Sequence, residues 1–102
     1  MHRAENRQDI LNYIRSQKDS LRTRYHVRKI ALIGSFARNE QTANSDVDLL
    51  IDLEEGTPNI HQVKKELRTS FETQFGRRVE IASERYLKAY YREQILREAV
   101  YV

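Results

Sequence analysis

The chain has no cysteine and no tryptophan, one proline and three glycines in 102 residues. Without cysteine, a disulfide framework and thiolate-ligated zinc are excluded, and a reducing compartment is permitted. The longest apolar run is Ile30-Ala31-Leu32-Ile33, far short of a membrane span. The opening Met1-His2-Arg3-Ala4-Glu5 lacks the apolar segment of a secretory leader, so a cytoplasmic setting is the expectation. Glycine and proline are scarce enough to act as punctuation, and no repeat, linker or low-complexity tract divides the chain. One domain over 1–102 is expected, able to bury roughly 60–70% of its unfolded surface.

What is present is charge of both signs: 18 Lys+Arg against 15 Asp+Glu, net +3. This balance is that of an ordinary solvated surface and selects no partner by itself. Arg22, Arg24, His26, Arg28 and Lys29 form a basic run, readable as a nucleic-acid footprint, a contact for an acidic partner, or a solvated lead-in to a strand. His2, His26 and His61 have no metal-ligand spacing.

Periodicity predicts a helix over 5–18 with Ile10, Leu11 and Ile14 on one face, continued less regularly by Leu21 and Tyr25. Residues 27–33 read as a strand, stopped by Gly34-Ser35, with Ser35 as N-cap of a short helical turn. Residues 46–53 read as a second strand. Val47, Leu49, Ile51 and Leu53 share one face, and Asp46, Asp48, Leu50 and Asp52 the other. Asp52, near the strand's end, reads as a surface or loop-capping residue. Thr57-Pro58 predicts an N-cap and first helical position, Ile60, Val63, Leu67, Phe71 and Phe75 a core-facing stripe, and Gly76 the stop. Residues 77–82 read as a third strand with Glu80 opposite Val79 and Ile81. Residues 84–98 read as a last helix with Leu87, Tyr91 and Ile95 inward and Glu84–Lys88 and Glu93–Arg97 paired on its surface. Its tyrosines, Tyr86, Tyr90 and Tyr91, fit either partial burial or a protein-binding surface. The sum is a small α/β domain whose mixed sheet of three to four strands is flanked by helices, with the first two strands antiparallel.

Three features fall at one edge of that sheet. Gly34 lets backbone approach a ligand, and Ser35 adds a hydroxyl at a turn whose free N–H groups favour an anion. Asp46 and Asp48 point to the same side of a strand, and their mutual repulsion is relieved by a hard cation such as Mg²⁺. Glu80 is polar within an apolar strand and faces the same way; alternatively it is an edge residue paired with Arg77 or Arg78. Arg38, one turn beyond Ser35, could reach a triphosphate or stay solvated. Gly34-Ser35, ten residues, then Asp46-x-Asp48 would arise by chance in a chain this long with odds on the order of 10⁻³.

That pattern resembles the nucleotidyltransferase superfamily, of the DNA polymerase beta type. Ile33-Gly34-Ser35-Phe36-Ala37-Arg38 with Asn44-Ser45-Asp46-Val47-Asp48-Leu49-Leu50, and the closing Ile95 to Val102, are similar to the minimal nucleotidyltransferase (MNT) antitoxins of HEPN/MNT toxin–antitoxin systems. The resemblance spans nearly the whole chain; its specific motif spans 34–48. It implies the nucleotidyltransferase fold and an antitoxin of a type VII-like pair. Such a protein moves AMP from ATP to a tyrosine of a cognate HEPN ribonuclease toxin, with Mg²⁺, expected as two ions. By that resemblance Asp46, Asp48 and Glu80 are catalytic and metal-binding, Gly34, Ser35 and Arg38 bind the nucleotide, and the toxin binds this chain directly. No membrane and no nucleic-acid partner are implied. The family carries Asp where this chain has Glu80, and often Gly where it has Asn39. The alternative is an antitoxin with a weak site that neutralises its toxin by binding alone. A transferase acting on an antibiotic or nucleic acid is a further alternative.

Overall fold

The structure, a computed structural model, describes residues 3–102; Met1 and His2, the start of the segment read above for a leader, lie outside it. The chain runs α1 (Arg7–Ser16), α2 (Lys18–Tyr25), β1 (Val27–Ile33), α3 (Gly34–Ala37), β2 (Val47–Leu53), α4 (Ile60–Phe75), β3 (Val79–Ala82), a 3-10 turn (Glu84–Tyr86), α5 (Ala89–Glu98) and β4 (Val100–Tyr101). The sheet order is β3-β2-β1-β4. β1 is antiparallel to both β2 and β4, and β2 is parallel to β3. The parallel pair requires a crossover, which α4 supplies. No described helix is long and apolar enough to cross a membrane.

Period-two alternation splits the sheet into two faces. On one, Ile30, Leu32, Val47, Leu49, Ile51 and Val79 pack with Ile10, Leu11 and Ile14 of α1, Leu21 of α2, and Leu67, Phe71 and Phe75 of α4. Phe71 and Phe75 stack at 5.6 Å, and Tyr13 meets Phe75 edge-on at 5.5 Å, geometries that add to the burial itself. The other face is a thinner cluster of Ala31, Ile33 and Leu50 beneath Leu87, Ile95, Leu96 and Ala99.

Several boundaries differ from the sequence reading. The first helix divides at Gln17, which ends α1 and begins α2, and Asn6 caps α1 by accepting the Asp9 N–H. Ser35 is not an N-cap: α3 begins at Gly34, with Ile33 in the cap position. Thr57-Pro58 does not open α4 either. Asn59, in a left-handed conformation at φ 54°, precedes it, while the Thr57 hydroxyl donates to the Glu54 carbonyl. Gly76 ends α4 at φ 64°, as expected. The last helix is shorter than read: it starts at Ala89, leaving Leu87 in the extended link before it. Glu84 therefore pairs not with Lys88 but with Lys29 (3.2 Å) and Arg92 (3.4 Å), whereas Glu93–Arg97 forms at 2.9 Å. β4, Val100–Tyr101, lies beyond the elements that periodicity predicts, and it brings the sheet to four strands, within the expected three to four.

Candidate functional site

β1 delivers Gly34 to the end of the sheet, where Ile33 pairs with Asp48 of β2. β2 and β3 run in parallel register with Asp48 opposite Glu80. The strand arithmetic thus brings Gly34, Asp48 and Glu80 side by side on the thinly covered face. With Ile33, Arg38, Ile81, Ile95 and Glu98 they line a cavity of about 300 Å³. A separate groove of about 230 Å³ at the far end of β2, between Glu54, Lys64 and Tyr86, contains none of these residues.

Gly34 is demanded twice over. Its φ is +74°, and a Cβ there would stand 2.3 Å from Asp48 Oδ2. No side chain fits between this turn and the carboxylate, so the backbone itself forms the wall of the site. Asp48 is partly buried, and its carboxyl is pushed up to about 6. Desolvation is the largest cause, followed by the negative charges of Glu80 and Asp46, with Arg38 opposing.

The other candidates sit further out. Asp46 immediately precedes β2; it does not line the cavity, but its charge reaches Asp48. Ser35 follows Gly34 in α3, its carbonyl accepting the Glu40 N–H at 2.8 Å, and is likewise absent from the cavity lining. Arg38 lines the cavity, but its guanidinium is engaged by Glu40 (2.8 Å) and Glu98 (3.1 Å), whose hydrogen bonds raise its pKa. Glu80 makes no ion pair among the described residues. Arg77, offered above as its partner, is buried elsewhere. Asp52 is a correction in part: it is buried rather than on the surface, yet it does accept the Glu84 N–H at 3.4 Å, the loop-capping role.

No three Asp, Glu or His side chains among the described residues are already gathered around a point where an ion would sit. The donor chemistry nevertheless suits a hard cation. Asp48 and Glu80 lie on neighbouring strands, with Asp46 just ahead of β2, and Asp48 is destabilised as an anion first by burial and then by the charges of the other two. An all-oxygen set of this kind matches Mg²⁺ rather than zinc.

One residue the sequence reading missed is Arg77. Its side chain is 1% exposed and donates to four backbone carbonyls, three of them in the loop before Asp46. Nothing in a short Gly-Arg-Arg run distinguishes such an arginine from a solvated one. Of the three tyrosines, Tyr86 and Tyr90 are strongly exposed, and Tyr91 is partly covered, edge-on to Tyr90.

Known proteins place this geometry. The protein adenylyltransferase MntA of Thermococcus cleftensis is 37% identical over 93% of this chain and 94% of its own. A solved chain assigned as a minimal nucleotidyltransferase superposes with a TM-score of 0.74 at 36% identity, covering 94% of this chain and 95% of that one. A toxin–antitoxin complex with AMP-PNP shares the fold at a TM-score of 0.63 and 20% identity, over 95% of this chain and 72% of that one. The family model described as "Nucleotidyltransferase domain" matches residues 14–102, which contain every candidate residue above. With its fold, its Gly34–Asp48 contact and its near-full-length relatives in agreement, this chain belongs to the nucleotidyltransferase family, among its minimal members.

Proposed function

We propose that this chain is an antitoxin that transfers AMP from ATP to a tyrosine of a cognate HEPN ribonuclease toxin, in a type VII-like pair and a cytoplasmic setting. The observation that carries the reading is the register that sets Asp48 beside Glu80 and against the bare backbone of Gly34. Support for the acceptor class comes from likeness to MntA, named a protein adenylyltransferase, and for a toxin partner from the shared fold of the toxin–antitoxin complexes.

Asp46, Asp48 and Glu80 are the proposed holders of Mg²⁺, two ions being expected. Bound there, the metal would offset the charge of carboxylates and triphosphate and make the α-phosphorus more electrophilic. Gly34 admits the phosphates close to the main chain, with the Ser35 hydroxyl one residue on. Arg38, once it exchanges Glu40 and Glu98 for phosphate oxygens, adds a bidentate donor. The acceptor tyrosine oxygen attacks the α-phosphorus; the bond to the bridging oxygen of pyrophosphate breaks, and pyrophosphate leaves. Glu80 accepts the phenolic proton. Most of the rate then comes from positioning and preorganised charge.

Incubation with the cognate toxin, Mg²⁺ and ATP labelled at either the α- or the γ-phosphate tests this. Label on the toxin from α-labelled but not γ-labelled ATP is expected; no transfer from either by folded protein would contradict it. Neutralisation in cells by the Asp46→Ala/Asp48→Ala variant at normal protein levels would favour the alternative, silencing by binding alone.

A further inference from the structure

We infer that Arg77 is a positioning residue, holding the 42–45 loop and with it the main chain of Asp46, two residues ahead of Asp48 at the edge of the site. The inference rests on the functional reading above for its consequence, but its geometric part stands alone.

A guanidinium with a side chain 1% exposed is costly to bury unless its donors are met. Here they are met almost entirely by main-chain oxygens. Nε donates to the Ala4 carbonyl at 2.7 Å. Nη1 faces the carbonyls of Ser45 (2.8 Å), Thr42 (3.2 Å) and Ala43 (3.3 Å). Nη2 lies 3.7 Å from Glu5, and the planar group rests on the Phe36 ring at 4.9 Å. Arg3 also donates to the Ala43 carbonyl.

Those partners belong to three segments that no sheet ladder joins. The N-terminal stretch supplies Ala4 and Glu5. The short helix α3, which begins at Gly34, supplies Phe36. The loop that leads into β2 supplies Thr42, Ala43 and Ser45. The Ser45 carbonyl is the strongest contact on that loop, and it belongs to the peptide unit shared with Asp46. On the other side of Asp46, the Val47 N–H donates to the carbonyl of Arg78, the neighbour of Arg77, at 2.9 Å. The main chain is therefore gripped immediately before and immediately after Asp46 by two consecutive residues of one segment.

The loop's internal bonds are local. In a Thr42–Ser45 turn the Thr42 N–H donates to Ser45 Oγ at 2.8 Å and the Ser45 N–H to the Thr42 carbonyl at 3.1 Å, the two hydroxyls lie 3.4 Å apart, and the Asn44 N–H donates to Thr42 Oγ1 at 3.3 Å. That turn sets the shape of the loop but not its place against the sheet. A lysine could not substitute, because one ammonium cannot face Ala4 and the loop carbonyls together or lie flat on a ring.

The test uses Arg77→Lys, the milder Phe36→Leu and the control Glu5→Gln in the full chain, each checked for folding by circular dichroism. Amide exchange of residues 42–47 is read by mass spectrometry, and the Mg²⁺ dependence of AMP transfer is titrated. Arg77→Lys should speed exchange in that segment about tenfold or more, relative to the β1 amides. It should also raise the half-saturating Mg²⁺ concentration about tenfold, with rate recovered at high Mg²⁺. Phe36→Leu should shift both in the same direction by less, and Glu5→Gln by under about twofold. A variant that melts earlier yet keeps wild-type loop exchange and Mg²⁺ half-saturation would reduce Arg77 to a core residue and overturn the inference. If Arg77→Lys does not fold, Phe36→Leu decides on the same criteria. Should the wild type itself transfer nothing, the functional reading fails, while loop exchange still decides whether Arg77 holds the loop.

Discussion

The two faces of the sheet follow opposite rules. Towards α1 and α4 the strands present Leu32, Val47, Leu49 and Ile51 to a closed layer that includes the rings of Tyr13, Phe71 and Phe75. Towards α5 the apolar layer shrinks to Ala31, Ile33 and Leu50, and next to it lie Asp48 and Glu80. One face supplies stability. The other gives some of it up to set a part-buried Asp48 beside the exposed Glu80. Because adjacent residues of β2 point to opposite faces, a single seven-residue strand serves both.

If that division holds, substitutions on the two faces should move different observables. The largest effect is expected on transfer: Asp46→Asn with Asp48→Asn should lower the rate constant by about a thousandfold or more while leaving the circular dichroism spectrum intact, in keeping with loss of charged groups that act on the transition state. Phe71→Ala, on the closed face, should instead cost about 3–5 kcal/mol in urea unfolding, with transfer per folded molecule nearly unchanged. A Phe71→Ala protein that keeps its stability but loses activity would erase the distinction.

A third substitution sharpens it by inverting the sign. The ordinary Asp48 value of 3.8 is raised to about 6 in the fold, so the folded state holds that proton more tightly than the unfolded one. Ionised Asp48 therefore opposes folding above about pH 6, and the penalty fades as pH falls towards 3.8. Asp48→Asn should stabilise the metal-free protein at pH 7.5 by about 1–2 kcal/mol, after allowance for screening at a partly exposed site, and should do nothing below about pH 4. Thermal melts at both pH values check this. The smallest effect is reserved for the exposed Glu93–Arg97 pair, 2.9 Å apart on α5; Glu93→Ala should change stability by under about 0.5 kcal/mol.

The legible parts of the molecule were those written in local periodicity. Alternation from Val47 to Leu53 gave β2 its two faces, and the 3.6-residue spacing gave α4 its stripe of Val63, Leu67, Phe71 and Phe75, although Ile60, expected in that stripe, is exposed at the helix start where no neighbouring element covers it. Gly34, Asp48 and Glu80 were readable because residue type and strand phase together oriented them. What was not legible depends on contacts distant in the chain. β4 is two residues, Val100 and Tyr101, made a strand only by pairing with Leu32 and Ala31. Glu84 has Lys88 at helical spacing, yet packing places Lys29 and Arg92 beside it instead. Ser35 and Thr57 have good N-cap chemistry, but the backbone at Gly34 and Asn59, both at positive φ, begins each turn elsewhere. Arg77 reaches partners some 32 to 73 residues away, and no local pattern encodes that.

The central claim is that the open face gathers its carboxylates to hold a metal-bound nucleotide. Calorimetric titration of the protein with a non-hydrolysable ATP analogue, with and without Mg²⁺, tests it most directly. Saturable binding that needs Mg²⁺ and disappears in the Asp46→Asn/Asp48→Asn variant is predicted; binding of equal strength without Mg²⁺, or undiminished in that variant, would contradict it.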